Sequence, residues 1–469
     1  MVVRSCLRAA LLLVLAAASP GLAAAQTETA AAVQAAGRLA REGRTLSPQQ
    51  AAELEDRITA TPDDLAVRTR LLGYYFAASL RTAGPEATRA ARRRHILWII
   101  GHHPEAEVAM LSEMTIDPSG HSLADADAYA EAKKAWLQQV DRHKDDVRVQ
   151  LHAAKFFRLP DRALAIDCLK RAVAISPNDR EASAELGTTY AMTIAGITMV
   201  NNNGLPMAAD PAQAVSPQAK TAAAELRASS NPIVISAGAS VLAQYGSIAR
   251  AMTNVQIDVD DVAEELLKKA SVLNPADFGP PRMLGELYKT KMLSAPNAGV
   301  RSALARQRLE QEKIFLERAS AGKDTPGGAD WRLAALNATA QAEADTDSLD
   351  EAQRFARELL AQGTAQHPLN GQYFHDAHIV LGRVALRRNN VGEAKRHLLE
   401  AGTVTGGGAL TSFGPNMSLA KELVERGERE TVVSYLEECR KFWPNPRLTE
   451  WIRTIQNGGT PEFGPNLIY

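Results

Sequence analysis

The chain is poor in rings and in sulfur. Only 5% of its 469 residues are aromatic and only three are cysteine. Few rings argue against one large mixed core, where Phe, Tyr and Trp supply much of the buried area. Three cysteines, none in a Cys-x-x-Cys pair, exclude a disulfide framework and the common thiolate metal and haem motifs. The net charge is −1 at pH 7. No field of one sign therefore draws the chain to nucleic acid or to an anionic membrane. No apolar run reaches the ~20 residues that a membrane-spanning helix needs. Motifs of catalysis are missing too: there is no His-Glu-x-x-His, no Gly-x-Ser-x-Gly elbow and no phosphate loop. Gly406-Gly407-Gly408 lacks a following lysine and reads as a connector.

What the chain does have is a spaced skeleton. Eight residues before Pro177, Pro275 and Pro444 stand Leu169, Leu267 and Leu436, and five before stand Ala172, Ala270 and Cys439. Ten residues after the first two prolines come Gly187 and Gly285, and thirteen after come Tyr190 and Tyr288. Pro62 is a weaker copy, with Leu54 before it and Leu72 and Tyr75 after it. Ala165, Leu169 and Ala172 are spaced four and three, so they share one helix face. Ala263, Leu267 and Ala270 repeat that stripe, and Val432, Leu436 and Cys439 do so more loosely. Such self-similarity marks an array of helix pairs, each burying its apolar face against its neighbours.

These residues resemble the tetratricopeptide repeat. Gly187, Gly285 and Gly382 match the small residue of its first helix, and Tyr190 and Tyr288 the aromatic one. Ala165, Ala263 and Ala394 match the small residue of its second helix, and Ala172, Ala270 and Ala401 the later one. The family's early tryptophan is replaced by Val149, Ser183 and His378. The resemblance is strong over 146–190, 262–290 and 375–446. From Phe413 to Tyr469 the chain is also similar to the end of certain exported bacterial repeat proteins with no assigned activity. Skeleton and resemblance together predict an all-α fold, a right-handed superhelical solenoid of about eight or nine stacked antiparallel helix pairs. The resemblance implies a concave groove for a protein or peptide partner.

Residues 1–25 read as a cleavable signal peptide. Arg4 and Arg8 precede the apolar stretch Leu11 to Ala18, Pro20-Gly21 breaks it, and Ala23-Ala24-Ala25 offers small residues before Gln26. The expectation is an exported protein, periplasmic or secreted, without a membrane span in the mature chain. Loss of Arg4 and Arg8 takes the charge from −1 to −3. Degenerate helical repeats are expected over 26–145, the main array over 146–446 and a cap over 447–469. Within them the patterns predict helices over 27–42, 48–59, 65–80, 86–100, 122–143, 147–157, 162–175, 217–228 and 232–243. Ser47 is the expected cap of the second, with Pro48 in its first turn. Ser122 and Asp125 look like an acidic capping box for the fifth. Residues 196–215, with Asn201-Asn202-Asn203-Gly204, interrupt the array as a structureless loop of a length that is functional or disordered. A shorter insert, 251–260, precedes Ala263. Phe-Gly-Pro-Asn occurs at 413–416 and 463–466 as turn chemistry, with both phenylalanines expected on the core and Asn416 or Ser418 as a cap. Trp443 and Trp451 are expected to close the end of the array.

The best metal candidate is His375, His378 and His397, the first two a helical turn apart and the third on the returning helix. His378 also takes a packing position, so no metal site is predicted, nor any cofactor or catalytic residue. Asp258, Asp260 and Asp261 suit a helix start better than calcium. Cys168 and Cys439 read as small buried residues without a disulfide. Arg92-Arg93-Arg94 reads as a solvated helix face. The predicted function is an exported, non-enzymatic protein-interaction scaffold. Its partner-facing residues would be Arg148, Arg282 and Arg383 on first helices, with Asn389 and Asn390 near a turn. Two alternatives stand beside it: a glycan or small-molecule binder using the 196–215 loop, and an enzyme with a site dispersed over repeats.

Overall fold

Alanine-rich stripes with proline stops become helices along most of the chain. The computed structural model describes residues 20–81, 86–118, 123–200, 206–252, 259–322, 327–362 and 371–467. Its contacts divide into two units, one over Ala17–Leu273 and one containing Asn274–Tyr469.

The first unit holds α1 (Pro20–Gly43), α2 (Pro48–Ala60), α3 (Leu65–Arg81), α4 (Glu86–His102), α5 (Ala126–Arg142), α6 (Val147–Phe157), α7 (Arg162–Ile175) and α8 (Arg180–Ile194). A hairpin of β1 (Ile197–Val200) and β2 (Pro206–Ala209) follows, then α9 (Pro211–Ala214), α10 (Pro217–Ala228), α11 (Pro232–Met252) and α12 (Asp260–Leu273). The second unit holds α13 (Gly279–Leu293), α14 (Ala298–Ala321), α15 (Gly328–Asp345), α16 (Leu349–Gln362), α17 (Gly371–Arg387), α18 (Val391–Ala401), α19 (Gly408–Phe413), α20 (Ser418–Glu425), α21 (Arg429–Cys439) and α22 (Pro446–Gln456). The fold is all-α, built in each unit of stacked helix pairs, and the one hairpin is its only sheet among the described residues.

Local chemistry sets the helix ends. The Ser47 hydroxyl accepts from the Gln50 amide, and the Gln50 side chain accepts from the Ser47 amide at 2.8 Å. That satisfies two of the donors that every helix start leaves open. Asp125 caps α5 by accepting from Ala128 at 2.9 Å; Ser122 lies outside the described residues. Pro62, Pro177 and Pro275 each stand two residues beyond a helix end, where a ring that cannot donate does no harm.

Small residues set the helix contacts. Ala165, Ala172, Ala263, Ala270, Ala394 and Ala401 are all buried, as are Tyr190 and Tyr288. α8 and α11 cross at Gly187 and Gly238, where a Cβ on Gly187 would lie 2.1 Å from the Val234 carbonyl oxygen. Only a glycine permits backbones so close. Of the residues at the family's tryptophan position, Ser183 is buried and its hydroxyl receives the Asn231 side chain at 3.1 Å.

Three expectations are corrected. The insert is not structureless over its described part: β1 and β2 pair antiparallel, Ile197 opposite Ala209, and the buried Arg162 donates to the Ile197 carbonyl. The strands satisfy main-chain groups that a bare loop would leave open. Asn201, Asn202, Asn203 and Gly204 lie outside the described residues. Arg92 is buried rather than solvated, donating to the Glu113 and Thr115 carbonyls and lying over the Phe76 ring. The chain bend at 112–115 presents carbonyls that a guanidinium can satisfy.

The third correction concerns Phe413, which is exposed while Phe463 is buried against Trp451. The difference arises because the two Phe-Gly-Pro-Asn copies dock on one another. Asn466 donates from Nδ2 to the Phe413 and Pro415 carbonyls, each at 3.1 Å, and its own carbonyl accepts from the Met417 amide at 2.7 Å. Gly414 takes φ +93° beneath Trp443, a conformation that carries Phe413 outward. Asn416, one residue ahead of the Met417 N-cap of α20, accepts from the Ser418 amide at 2.9 Å. Trp443 and Trp451 pack 5.8 Å apart in the apolar cluster of the C-terminal helices. Cys168 and Cys439 are buried free thiols.

Candidate functional site

Within the second unit, successive helices turn polar side chains toward one cleft. Positions four or three apart share a helix face, and here they do so repeatedly. α13 contributes Lys289 and Met292, α15 contributes Gln341 and Asp345, and α17 contributes Asp376, Ile379, Val380 and Arg383. Arg308 of α14, Asn416 and Ser418 at the head of α20, and Leu467 complete the lining. The cavity measures about 400 Å³ with its open mouth.

An alternating chain of charges holds these walls. Glu312 lies 3.5 Å from Arg308 Nε. Arg308 donates to Asp345 at 2.7 Å, and Arg383 donates to the other Asp345 oxygen at 2.8 Å and to Glu422 at 3.0 Å. Arg387 then donates to Glu422 at 2.5 Å. Burial would disfavour a charged Arg383, but Asp345 and Glu422 outweigh it and hold the guanidinium well above its ordinary range. Burial would likewise raise Asp345, yet Arg383 and Arg308 together hold its carboxyl below the usual range. Glu312 behaves oppositely: burial pushes it up to about 7, and Arg308 only partly offsets this. Gly285 is what makes room for it, since a Cβ there would meet the Glu312 carboxylate at 2.4 Å. Such pairs add little net stability once desolvation is counted. Their effect is to fix the direction of each side chain.

A second network stands behind Asp376. His375 Nδ1 donates to Asp376 Oδ1 at 2.9 Å, which leaves Nε2 to accept from the Tyr435 hydroxyl at 2.9 Å. The other Asp376 oxygen accepts from Asn337 at 2.9 Å and from Gln341 at 3.3 Å.

The three candidate histidines therefore do not converge. His378 and His397 face each other, Nδ1 to Nδ1, at 2.9 Å, while His375 is committed to Asp376 and Tyr435. Burial pushes His378 down to about 4, the charge of His397 adding to the effect, and burial lowers His397 as well. Among the described residues no three His, Cys, Asp or Glu side chains meet as a metal would require. Asp260 and Asp261 occupy the first turn of α12, and Asp258 lies outside the described residues.

Of the predicted partner-facing residues, Arg383 lines the cleft. Arg148, on α6, donates to Glu181 at 2.8 Å and to Glu107 at 2.5 Å. Arg282 lies over the Trp331 ring, 5.4 Å from its centre. Asn389 takes φ +58° in the turn after α17, and the exposed Asn390 caps α18 through the Glu393 amide at 3.1 Å. Sequence reasoning missed Arg308, Asp345 and Glu422, and it set Asp376 aside as pointing away from the histidines, although Asp376 bonds His375. The available signal was polar residues at helical spacing inside otherwise apolar stripes, as in Gln341 and Asp345.

No protein-family model and no curated protein matches this chain. Among solved structures, the human IFIT1 dimer with PPP-AAAA is similar over 90% of this chain and 98% of that chain, at 15% identity and a TM-score of 0.34. Yeast Tom70 is similar over 92% of this chain and 88% of that chain, at 13% identity and a TM-score of 0.28. Likenesses of this size carry neither the fold assignment nor a functional one.

Proposed function

We propose that the protein is an exported, non-enzymatic scaffold that holds a protein or peptide partner on the polar faces of its first helices. One observation carries the reading: α13, α15 and α17, with α20, turn pre-oriented charged and amide side chains toward one cleft. Side chains fixed before binding lose little entropy on contact, which favours recognition. The repeat skeleton supports it, because stacked helix pairs generate extended binding surfaces. Arg383 belongs to the proposed face, with Arg282, Asn389 and Asn390 as further candidates in the same unit and Arg148 as a separate candidate in the first unit. A net charge of −1 favours a protein over nucleic acid. Export rests on the signal-like residues 1–25, and no helix among the described residues is long and apolar enough to cross a membrane.

Crosslinking in the native host, then purification of the tagged protein and mass spectrometry, tests the reading. One reproducible, near-stoichiometric protein is expected, and it should be lost on combined charge reversal at Arg148 and Arg383 in a chain that keeps its helical circular dichroism. Absence of any enriched protein overturns it. Intact mass of the exported chain should correspond to a start at Gln26. A glycan or small-molecule role for the insert keeps one support, the hairpin docked on Arg162. Deleting 201–214 separates the two: a scaffold keeps its partner, whereas an insert-based binder loses its ligand.

A further inference from the structure

We propose that the turn joining α13 to α14 is a docking surface for an anionic lipid bilayer, on which the protein rests without crossing it. This goes beyond the scaffold reading and does not depend on it.

A net charge of −1 conceals one local excess. Between Glu286 and Glu310 stand five basic residues and no acidic one. Lys289 turns to the cleft and Arg308 is buried. The other three lie about the short turn 294–297: Lys291 before it, Arg301 and Arg306 beyond it on α14. Arg301 and Arg306 are exposed, and among the described residues neither side chain has an ion-pair partner. Apolar side chains share this end. Leu293, the last residue of α13, is 41% exposed, and Val300, in the first turn of α14, is 39% exposed. Pro296 and Ala298, between them, are exposed too. The main chain there asks little of its surroundings. Asn297 accepts from the Val300 amide at 2.9 Å, and Pro296 has no N–H to satisfy.

The equivalent turns of the same unit are built differently. Between α15 and α16 stands Asp347, with Asp345 before it and Asp350 after it. Glu393 follows the turn from α17 to α18. Glu425, Glu428 and Glu430 surround the turn from α20 to α21. Among the described residues no exposed large apolar side chain flanks any of the three. Exposed apolar groups and unopposed cations therefore coincide at one turn. A bilayer answers both at once, because its phosphates meet the cations and its acyl boundary takes Leu293 and Val300. Each cation near an anionic leaflet strengthens binding about fivefold, so three give on the order of a hundredfold. The apolar pair adds burial that salt does not screen. Attachment of this kind needs no spanning segment, and no helix among the described residues is long and apolar enough to be one.

The test is flotation of the full chain with vesicles of phosphatidylcholine alone and of phosphatidylcholine mixed with phosphatidylglycerol. Binding is expected to the mixed vesicles over the neutral ones, and to weaken in added sodium chloride. Arg301→Gln combined with Arg306→Gln should weaken it about twenty-five-fold, as for two cations lost. Leu293→Ser combined with Val300→Ser should weaken it as well, which attraction by charge alone would not do. All four side chains are exposed, so the helical circular dichroism should stay unchanged. The apolar stretch Leu11 to Ala18 is common to parent and variants, so any difference between them belongs to the turn. The proposal is overturned if the mixed vesicles bind no better than the neutral ones, or if both double variants bind as the parent does. Light scattering without lipid that shows a dimer in the parent and monomers in both variants overturns it too, assigning the turn to a second copy of the chain.

Discussion

At the residue scale, the most consequential groups are two buried side chains that titrate in opposite senses. Glu312 rises from 4.5 to about 7 in the folded chain, under burial. The unfolded chain loses that proton first, so the folded state becomes less favoured as pH rises from about 4.5 to about 7, by on the order of 3 kcal/mol. His378 falls from 6.5 to about 4, also under burial and with His397 adding to it. There the unfolded chain takes up the proton first, so stability is lost as pH falls from about 6.5 to about 4. The two effects oppose each other where their ranges overlap. Glu312→Gln should therefore remove the decline toward pH 7, and His378→Gln should remove the loss toward pH 4. Urea midpoints across pH 4 to 8 check both, and parallel curves for parent and variants would sink the assignment. Neither behaviour was legible in the sequence. Glu312 looks like any helix glutamate, and only its burial and the glycine opposite it make it unusual.

At the element scale, the helices follow from chemistry that acts over a few residues. α6, α7 and α10 run over the residues expected from their stripes and stops, Val147–Phe157, Arg162–Ile175 and Pro217–Ala228. α11 runs nine residues beyond its expected end, to Met252, continuing through Gly246. The contact of α8 with α11 supplies a sharp test. In an isolated helix Gly187→Ala would gain about 1 kcal/mol. Here the new Cβ would press on the Val234 carbonyl at 2.1 Å, and overpacking against backbone costs about 1–3 kcal/mol or more. Net destabilisation is expected, read as a lower midpoint in chemical unfolding. A gain in stability would show that the two helices stand further apart.

At the scale of the whole molecule, an array of repeats must cover its exposed apolar ends. In the second unit Phe463 packs against Trp451 and Asn466 bonds the first Phe-Gly-Pro-Asn copy, and we propose that these contacts cover such an end. Removing residues 457–469 should lower stability by about 3 kcal/mol or more, from one buried ring and three hydrogen bonds. It should also raise the binding of a hydrophobic dye. An unchanged thermal midpoint would refute that role. By itself the sequence determined the helical class, several helix ends and the apolar stripes, because hydrophobic period and capping act between residues three or four apart. Only the tertiary structure decided that Arg92 is buried, that the three histidines part company, and that two identical tetrapeptides some fifty residues apart dock together. Only it assembled Arg308, Asp345, Arg383 and Glu422, one from each of four helices, into a single line of charge. Those outcomes depend on which helix faces meet, and the energy that selects among them comes from burying or pairing each charge in its final surroundings.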